Sequence, residues 1–202
     1  MPVGNDVVDL RNPANQPGAI HPRFDRRVFA GIELGELDDL SRDERHLERW
    51  MRWAAKEGAF KLIRRLKPHA PFHPRELPVS RITPTSARIA APALGRSLQV
   101  GFDLNEERIH AVVTDTAAGA AGDRAPRQVR SGTRRLVSTD PVDATAEVRR
   151  HAATALAGLL GLEHGDVEIA ASGIDRPPVA RSHGEILSAD VSLSHDGRWV
   201  AW

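Results

Sequence analysis

Trp53-Ala54-Ala55-Lys56-Glu57-Gly58-Ala59-Phe60-Lys61 lies in the segment whose period decides the fold. Upstream, Ser41-Arg42-Asp43-Glu44 has the form of a capping box, in which the serine oxygen and the Glu44 carboxylate satisfy the free amides of a helix start. Downstream, Leu47, Trp50, Trp53 or Ala54, Phe60 and Ile63 recur at a roughly helical spacing as far as Leu66, and Pro68 stops the run. The spacing predicts one long helix over 41–66. Glu57 and Lys61 are four residues apart on it and share a face. Taken alone, that pair reads as a solvated surface ion pair.

On both sides the period changes. Val79, Ile82, Ala87–Ala90, Leu98–Phe102 and Ile109–Val113 are short alternating or apolar runs between turn residues, which predicts three or four strands. Ahead of the helix, residues 2–10 read as a short apolar strand, Val7-Val8-Asp9-Leu10, running into an Asn-Pro turn. The residues from there to the capping box read as loop, with Phe24, Val28 and Phe29 as core anchors. A second helix is expected from Asp140-Pro141, turning Val148, Ala152, Leu156 and Leu159 inward and stopping at Gly161. Strands at 167–170, 187–193 and 199–202 would follow it. The fold class is therefore α+β, with two similar halves, each a long helix packed on a small antiparallel sheet (a pseudo-dimer). The expected divisions are 1–115, an Arg-rich linker at 116–138, and 139–202.

The 202 residues suffice for one large domain or two small ones. No cysteine is present, which removes disulfide and thiolate chemistry and suits a reducing compartment. MPVGNDVVDL has no basic n-region, so it does not read as a signal peptide, and the run 153–162 is too short to cross a bilayer. A soluble, cytoplasmic protein with no membrane partner is expected. A net charge of +1 supplies no global field for nucleic acid, and no aromatic residues cluster near Arg124, Arg127, Arg130, Arg134 and Arg135. Those arginines follow an Ala- and Gly-rich stretch and read as a solvated linker or an anion-facing loop.

Two further segments accompany the helix motif: Gly4-Asn5-Asp6 near the start and Ser192-Leu193-Ser194-His195-Asp196 near the end. Gly-x-Asp at a strand start, Trp-x-x-Lys-Glu-x-x-x-Lys on a helix and Ser-x-Ser-His-Asp before a strand together resemble the 4′-phosphopantetheinyl transferase superfamily. The matching residues are Gly4 and Asp6; Trp53, Lys56, Glu57 and Lys61; and Ser192, Ser194 and His195, with Arg176-Pro177-Pro178 similar to the family's Arg/Lys-Pro segment. The resemblance extends over most of the chain. In the small trimeric holo-acyl-carrier-protein synthases the motifs run Asp, Lys-Glu, Ser-His. In the larger pseudo-dimeric enzymes that activate peptide synthetases, Ser-His comes first. This chain has the length of the second group and the order of the first. The resemblance thus implies a circularly permuted pseudo-dimer, 1–115 matching the usual second half and 139–202 the usual first. It requires Asp6 and His195, from opposite ends of the sequence, to meet at one site.

The activity implied by the resemblance is transfer of the 4′-phosphopantetheine arm of coenzyme A to a serine of an acyl- or peptidyl-carrier protein, with release of 3′,5′-ADP. Asp6 and Glu57 would hold Mg²⁺, which prefers one or two carboxylates with phosphate oxygens and water. Lys61 resembles the lysine that contacts the phosphates and can protonate the departing ADP. Ser194 and His195 would bind a coenzyme A phosphate, and Arg176 the nucleotide end. The general base stays open between Glu57 and a water on the metal. Val8 stands where many of the larger enzymes have a second acid. Asn5 replaces a small apolar residue, and Gly58 replaces an alanine at a helix cost of about 1 kcal/mol, marking either close backbone approach or degeneration. An acidic carrier protein, in lipid, polyketide or peptide assembly, would be steered by the arginines of 124–135. A pseudo-dimer needs no second copy, so a monomer is expected. The alternative is a silent relative that binds coenzyme A or a carrier protein without transferring the arm.

Overall fold

A computed structural model describes residues 1–115, 128–137, 140–173 and 176–202. Arg124, Arg127 and most of the expected linker lie outside the described residues. The chain opens with strand β1 (Val3–Asp9), then helices α1 (Phe24–Val28), α2 (Gly31–Asp38) and α3 (Arg42–Leu66). Strands β2 (Val79–Thr83), β3 (Ser86–Ala91), β4 (Arg96–Leu104) and β5 (Arg108–Thr114) follow. They form a five-stranded antiparallel sheet in the order β1-β5-β4-β3-β2. The remainder comprises β6 (Thr133–Arg135), α4 (Pro141–Leu160), β7 (Val167–Ala170), β8 (Val179–Ser182), β9 (Glu185–Asp190), β10 (Ser194–Asp196) and β11 (Trp199–Ala201).

Helix α3 begins at the expected capping box. Glu44 Oε2 accepts from Ser41 N at 3.1 Å, and Ser41 Oγ accepts from Glu44 N at 3.4 Å. Its inner face is built from small and large residues together: Ala54, Ala55, Ala59 and Leu62 are inaccessible, beside Trp50, Met51 and Ile63. They pack on Val8, Ile89, Leu98, Val100, Ile109 and Val113 of the sheet. The alanines let the helix axis come close to the strands, and the larger residues fill the flanks. Helix α4 is bounded as its sequence predicts. Asp140 Oδ1 accepts from Val142 N at 2.7 Å, and Gly161 closes the helix in the left-handed region at φ 70°. Val148, Ala152 and Leu156 are buried beneath it.

The two halves share a wiring. The strand before each long helix pairs with the last strand of its half, β1 with β5 and β6 with β11. The first three strands after each long helix form consecutive hairpins, β2-β3-β4 and β7-β8-β9. In the second half the sheet divides into two three-stranded sheets, β10-β11-β6 and β7-β8-β9. Strand β6 falls inside the stretch expected to be linker. The expected loop between the first strand and the capping box instead contains α1 and α2. Both are too short to show a periodic stripe; α2 is held by buried Leu37, by Arg52 and Arg45 bridging to Glu36 and Asp38, and by Glu33, whose Oε2 accepts from Ala30 N at 2.8 Å. The first strand, Val3–Asp9, falls within the expected 2–10 and takes in Gly4-Asn5-Asp6.

Gly4 explains where β1 sits. A methyl added there would drive into the Gly58 carbonyl oxygen and lie 2.9 Å from the Leu62 amide nitrogen, so strand and helix backbones touch. A methyl at Gly58 would meet only the Val113 Cγ2 methyl at 2.9 Å and Asn5 backbone atoms at 3.5 Å. The two glycines therefore differ in what they tolerate. Gly4→Ala should cost at least about 3 kcal/mol, because backbone must move. Gly58→Ala recovers about 1 kcal/mol of helix propensity against the displacement of one methyl, and should fall close to neutral. Urea midpoints of the two variants check the contrast.

Candidate active site

Strand β1 is an edge strand, so its alternate amides have no sheet partner. Three of them are taken by side chains from the far end of the chain. Asn5 N donates to Ser192 Oγ at 2.8 Å, Val7 N to Ser194 Oγ at 3.2 Å, and Asp9 N to Asp196 Oδ2 at 2.8 Å. Residues 192, 194 and 196 alternate as 5, 7 and 9 do, so the Ser-x-Ser-x-Asp spacing is that of an edge-strand ladder made by side chains. Asp196 is gripped further by Asn12 Nδ2 at 2.9 Å and Asn15 Nδ2 at 2.5 Å, and Asp9 Oδ2 accepts from Arg198 N at 2.9 Å.

This ladder puts Asp6 at the centre of a charged network. Asp6 Oδ1 accepts from Ser194 Oγ at 2.7 Å and from Lys61 Nζ at 2.9 Å, and Lys61 also donates to Asn5 O at 2.9 Å. The ion-pair partner of Lys61 is thus Asp6 on the neighbouring strand rather than Glu57 on its own helix. Glu57 stands half-buried beside the pair. Burial and the Asp6 charge push its carboxyl up to about 7, against a smaller pull from Lys61. The Asp6 charge is felt at Glu57, Lys61 is bonded to Asp6 alone of the two acids, and Asp6 Oδ2 has no hydrogen-bond partner among the described residues. A pair of acids short of positive charge fits a divalent cation.

A groove of about 280 Å³ opens beside them, walled by Glu57, Phe60, Lys61, Arg64 and Arg65 on α3 and by Arg176 across from it. Arg65 also ties the two halves together, donating to Asp190 Oδ1 at 3.1 Å and to the Val191 carbonyl. Arg64 packs its guanidinium over the Phe60 ring, 5.8 Å from the centroid. Four cations thus face the groove, two of them (Lys61 and Arg65) already paired with Asp6 and Asp190, and the remaining positive balance over Glu57 suits an anionic ligand. Of the candidate residues, Asp6, Lys61 and Ser194 are in direct contact, with Glu57 and Arg176 on the same groove. His195 follows Ser194 but is exposed, and strand alternation carries its side chain away from the Asp6 network.

The structure adds residues that the motif reading missed. Arg64 and Arg65 lie three and four residues beyond Lys61, a spacing that puts them on its face. Asn5, in place of a small apolar residue, is buried, with Nδ2 3.4 Å from His110 Nε2. Burial and Arg108 press that imidazole down to about 4, so it is neutral beside the site. Lys56 proves to be architectural. Both it and Glu33 are inaccessible; its Nζ donates to Glu33 Oε2 at 2.8 Å, Pro74 O at 2.8 Å and Leu77 O at 2.9 Å, while Glu33 Oε1 accepts from Val79 N at 3.1 Å. Only the alternation Lys56-Glu57, one inward and one outward, hinted at this division.

Among known proteins, the chain is similar in structure to an apo-ACPS of Chronobacterium ammoiniagenes, with a TM-score of 0.44, 20% identity, and coverage of 55% of this chain and 92% of that one. No protein-family model matches the sequence. No curated protein matches it either. Among the described residues no helix is long and apolar enough to cross a membrane, and no group of three or more His, Cys, Asp or Glu gathers as a metal cluster.

Two measurements probe this electrostatic arrangement. Glu57 has a folded pKa of about 7 against an ordinary 4.5. Between those values the folded chain holds a proton that the unfolded chain releases, so its stabilising contribution is complete below about 4.5 and disappears as pH rises through about 7. In chelator-treated buffer, wild type should therefore lose stability relative to Glu57→Gln as pH rises across that window. Lys56→Met should cost about 3–5 kcal/mol by leaving Glu33 without its counter-charge. Adding Glu33→Gln should return about 1 kcal/mol or more of that loss. Urea titrations in a double-mutant cycle give both numbers.

Proposed function

We propose that this protein is a 4′-phosphopantetheinyl transferase, moving the phosphopantetheine arm of coenzyme A to a serine of an acyl- or peptidyl-carrier protein and releasing 3′,5′-ADP. The observation that carries the reading is the Asp6–Ser194–Lys61 contact, which joins three motifs resembling that superfamily's at one cationic groove. A circular permutation of a pseudo-dimeric enzyme explains why the joined residues come from opposite ends of the chain, with 1–115 and the part after the expected linker as the two halves. The shared wiring of those halves supports it.

Each residue has a task in the reaction. Asp6 and Glu57 would hold Mg²⁺, which when bound neutralises charge on the diphosphate oxygens. Lys61, fixed by Asp6 and the Asn5 carbonyl, presents its remaining N–H to a phosphate oxygen and can give a proton to the departing 3′,5′-ADP. Ser194 keeps Asp6 Oδ1 oriented, while Arg176 pairs with the nucleotide end of coenzyme A. His195 would reach a coenzyme A phosphate only from the outer side of β10. The proton of the carrier serine would pass to Glu57 or to a water on the metal. An acidic carrier protein suits a site with this excess of cations.

Intact mass spectrometry of apo carrier proteins incubated with coenzyme A, Mg²⁺ and this protein tests the proposal. A gain of one phosphopantetheine group is expected. Asp6→Asn and Lys61→Ala should each slow transfer by about 10²-fold or more while leaving the fold intact by urea titration. Coenzyme A binding with no mass gain over several carrier types would instead establish a silent binder.

A further inference from the structure

The far wall of the groove is the segment Arg176-Pro177-Pro178, which leads into the β8–β9 hairpin. The hairpin ladder stops there. Val179 pairs with Asp190, and the prolines before Val179 have no amide hydrogen with which to extend it. Captured carbonyls fix the segment instead. Ser172 Oγ donates to Pro177 O at 2.6 Å, and Arg65 Nη2, reaching over from α3, donates to Pro178 O at 3.3 Å. The same guanidinium holds the other strand end: Nη2 donates to the Val191 carbonyl, and Nη1 to Asp190 Oδ1 at 3.1 Å. One side chain thus spans both strands of the hairpin, and it is itself only 16% exposed.

We infer that Arg65 is a positioning residue for coenzyme A: it fixes Arg176 on the wall of the groove, and so sets affinity for the nucleotide end without contacting the nucleotide. The inference rests on the proposed transfer reaction and deepens it. Both terminal nitrogens of Arg65 are spent on protein acceptors, and its charge is matched by Asp190. A phosphate could recruit it only by breaking those contacts, whereas Arg176, two residues before Pro178, is exposed on the groove. The planar fork suits this task, because its two nitrogens reach acceptors on separate strands at once. A lysine ammonium, with its donors at one point, would hold one strand and release the other. Lys61 lies one helical turn earlier on the same face and grips Asp6 and the Asn5 carbonyl of β1. Successive turns of α3 therefore set the two ends of the groove separately, the reacting end through Lys61 and the nucleotide end through Arg65. Loss of Arg65 weakens the hold on coenzyme A and spares the chemical step.

Steady-state transfer kinetics of the full chain, with coenzyme A varied against a saturating apo carrier protein, test this together with calorimetry of coenzyme A binding. Arg65→Lys keeps the charge, and should raise both KM and the calorimetric Kd for coenzyme A by about tenfold with kcat within about twofold of wild type. Amide hydrogen exchange in β8 should quicken in that variant while the core of α3 keeps its protection. Arg176→Ala should also raise KM by about tenfold, and the two changes together should fall well short of the roughly hundredfold expected of independent sites. If Arg65→Lys does not fold, Asp190→Asn, which leaves the carbonyl contacts of Arg65 in place, should raise KM by about threefold. Unchanged KM and Kd, a fall in kcat with KM unaltered, or effects of Arg65 and Arg176 that multiply would each overturn the inference while the transfer reaction stands. A wild-type chain that neither binds coenzyme A nor transfers its arm would sink the transfer reaction, and this inference with it.

Discussion

The free edge of β1 is the constraint from which the rest of the structure follows. An edge strand presents unpaired amides, and proteins must cover, blunt or pair them. Here three such amides are satisfied by side chains spaced two residues apart, Ser192, Ser194 and Asp196. A backbone strand in that position would have extended the sheet and left no room for chemistry. Hydroxyl and carboxylate partners leave a gap between the halves at hydrogen-bonding distance, and the groove lies in it. The contact also joins residues 187 apart in sequence, so the assembled site reports the folding of both halves together.

Packing then turns this edge into an electrostatic device. Because Gly4 has no side chain, β1 lies against the backbone of α3 at Gly58, and Asp6, two residues on, comes within 2.9 Å of Lys61. The same closeness puts the Asp6 charge beside Glu57 in a half-buried setting, and the Glu57 carboxyl rises accordingly. Desolvation is the larger cause and the neighbouring acid the second, so the perturbation belongs to the assembled site rather than to either residue. Beneath it, the Lys56–Glu33 pair holds α2 and the start of β2 against α3. Consecutive residues thus face opposite ways: Lys56 inward to Glu33, Glu57 outward to the groove.

Both long helices were legible from sequence because each carries its own punctuation, Ser41 with Glu44 and Asp140 with Gly161, around an uninterrupted apolar period. The hairpins after α3 were legible from alternation. Elements that owe their existence to tertiary contacts were not. Helix α2 depends on Glu33, whose value comes from Lys56, Ala30 and Val79 together. Strand β6 is three residues paired to β11, too short to carry a pattern. Of the motif residues, Asp6 touches both Lys61 and Ser194, and Glu57 stands beside them. Motif matching passed over Arg64 and Arg65, whose place on the groove follows from helical spacing alone. Nor did it give Ser194 its contacts with Asp6 and the Val7 amide, which depend on how β1 and β10 meet.

The two halves share a wiring and differ in charge, and the difference is a matter of which helix face was kept. Buried positions on α3 and α4 remain small or aliphatic in step, because the packing distance to each sheet depends on them. Groove-facing positions carry no such demand. On α3 they are Lys61 and Arg65; counting back from the helix ends at Leu66 and Leu160, α4 has Ala155 and Leu159 in those places. Placing cations on both would bring two positively charged clefts into one small molecule, with self-repulsion and no second set of acids to offset it, since α4 has His151 where α3 has Glu57. With cations on one helix face only, that repulsion does not arise.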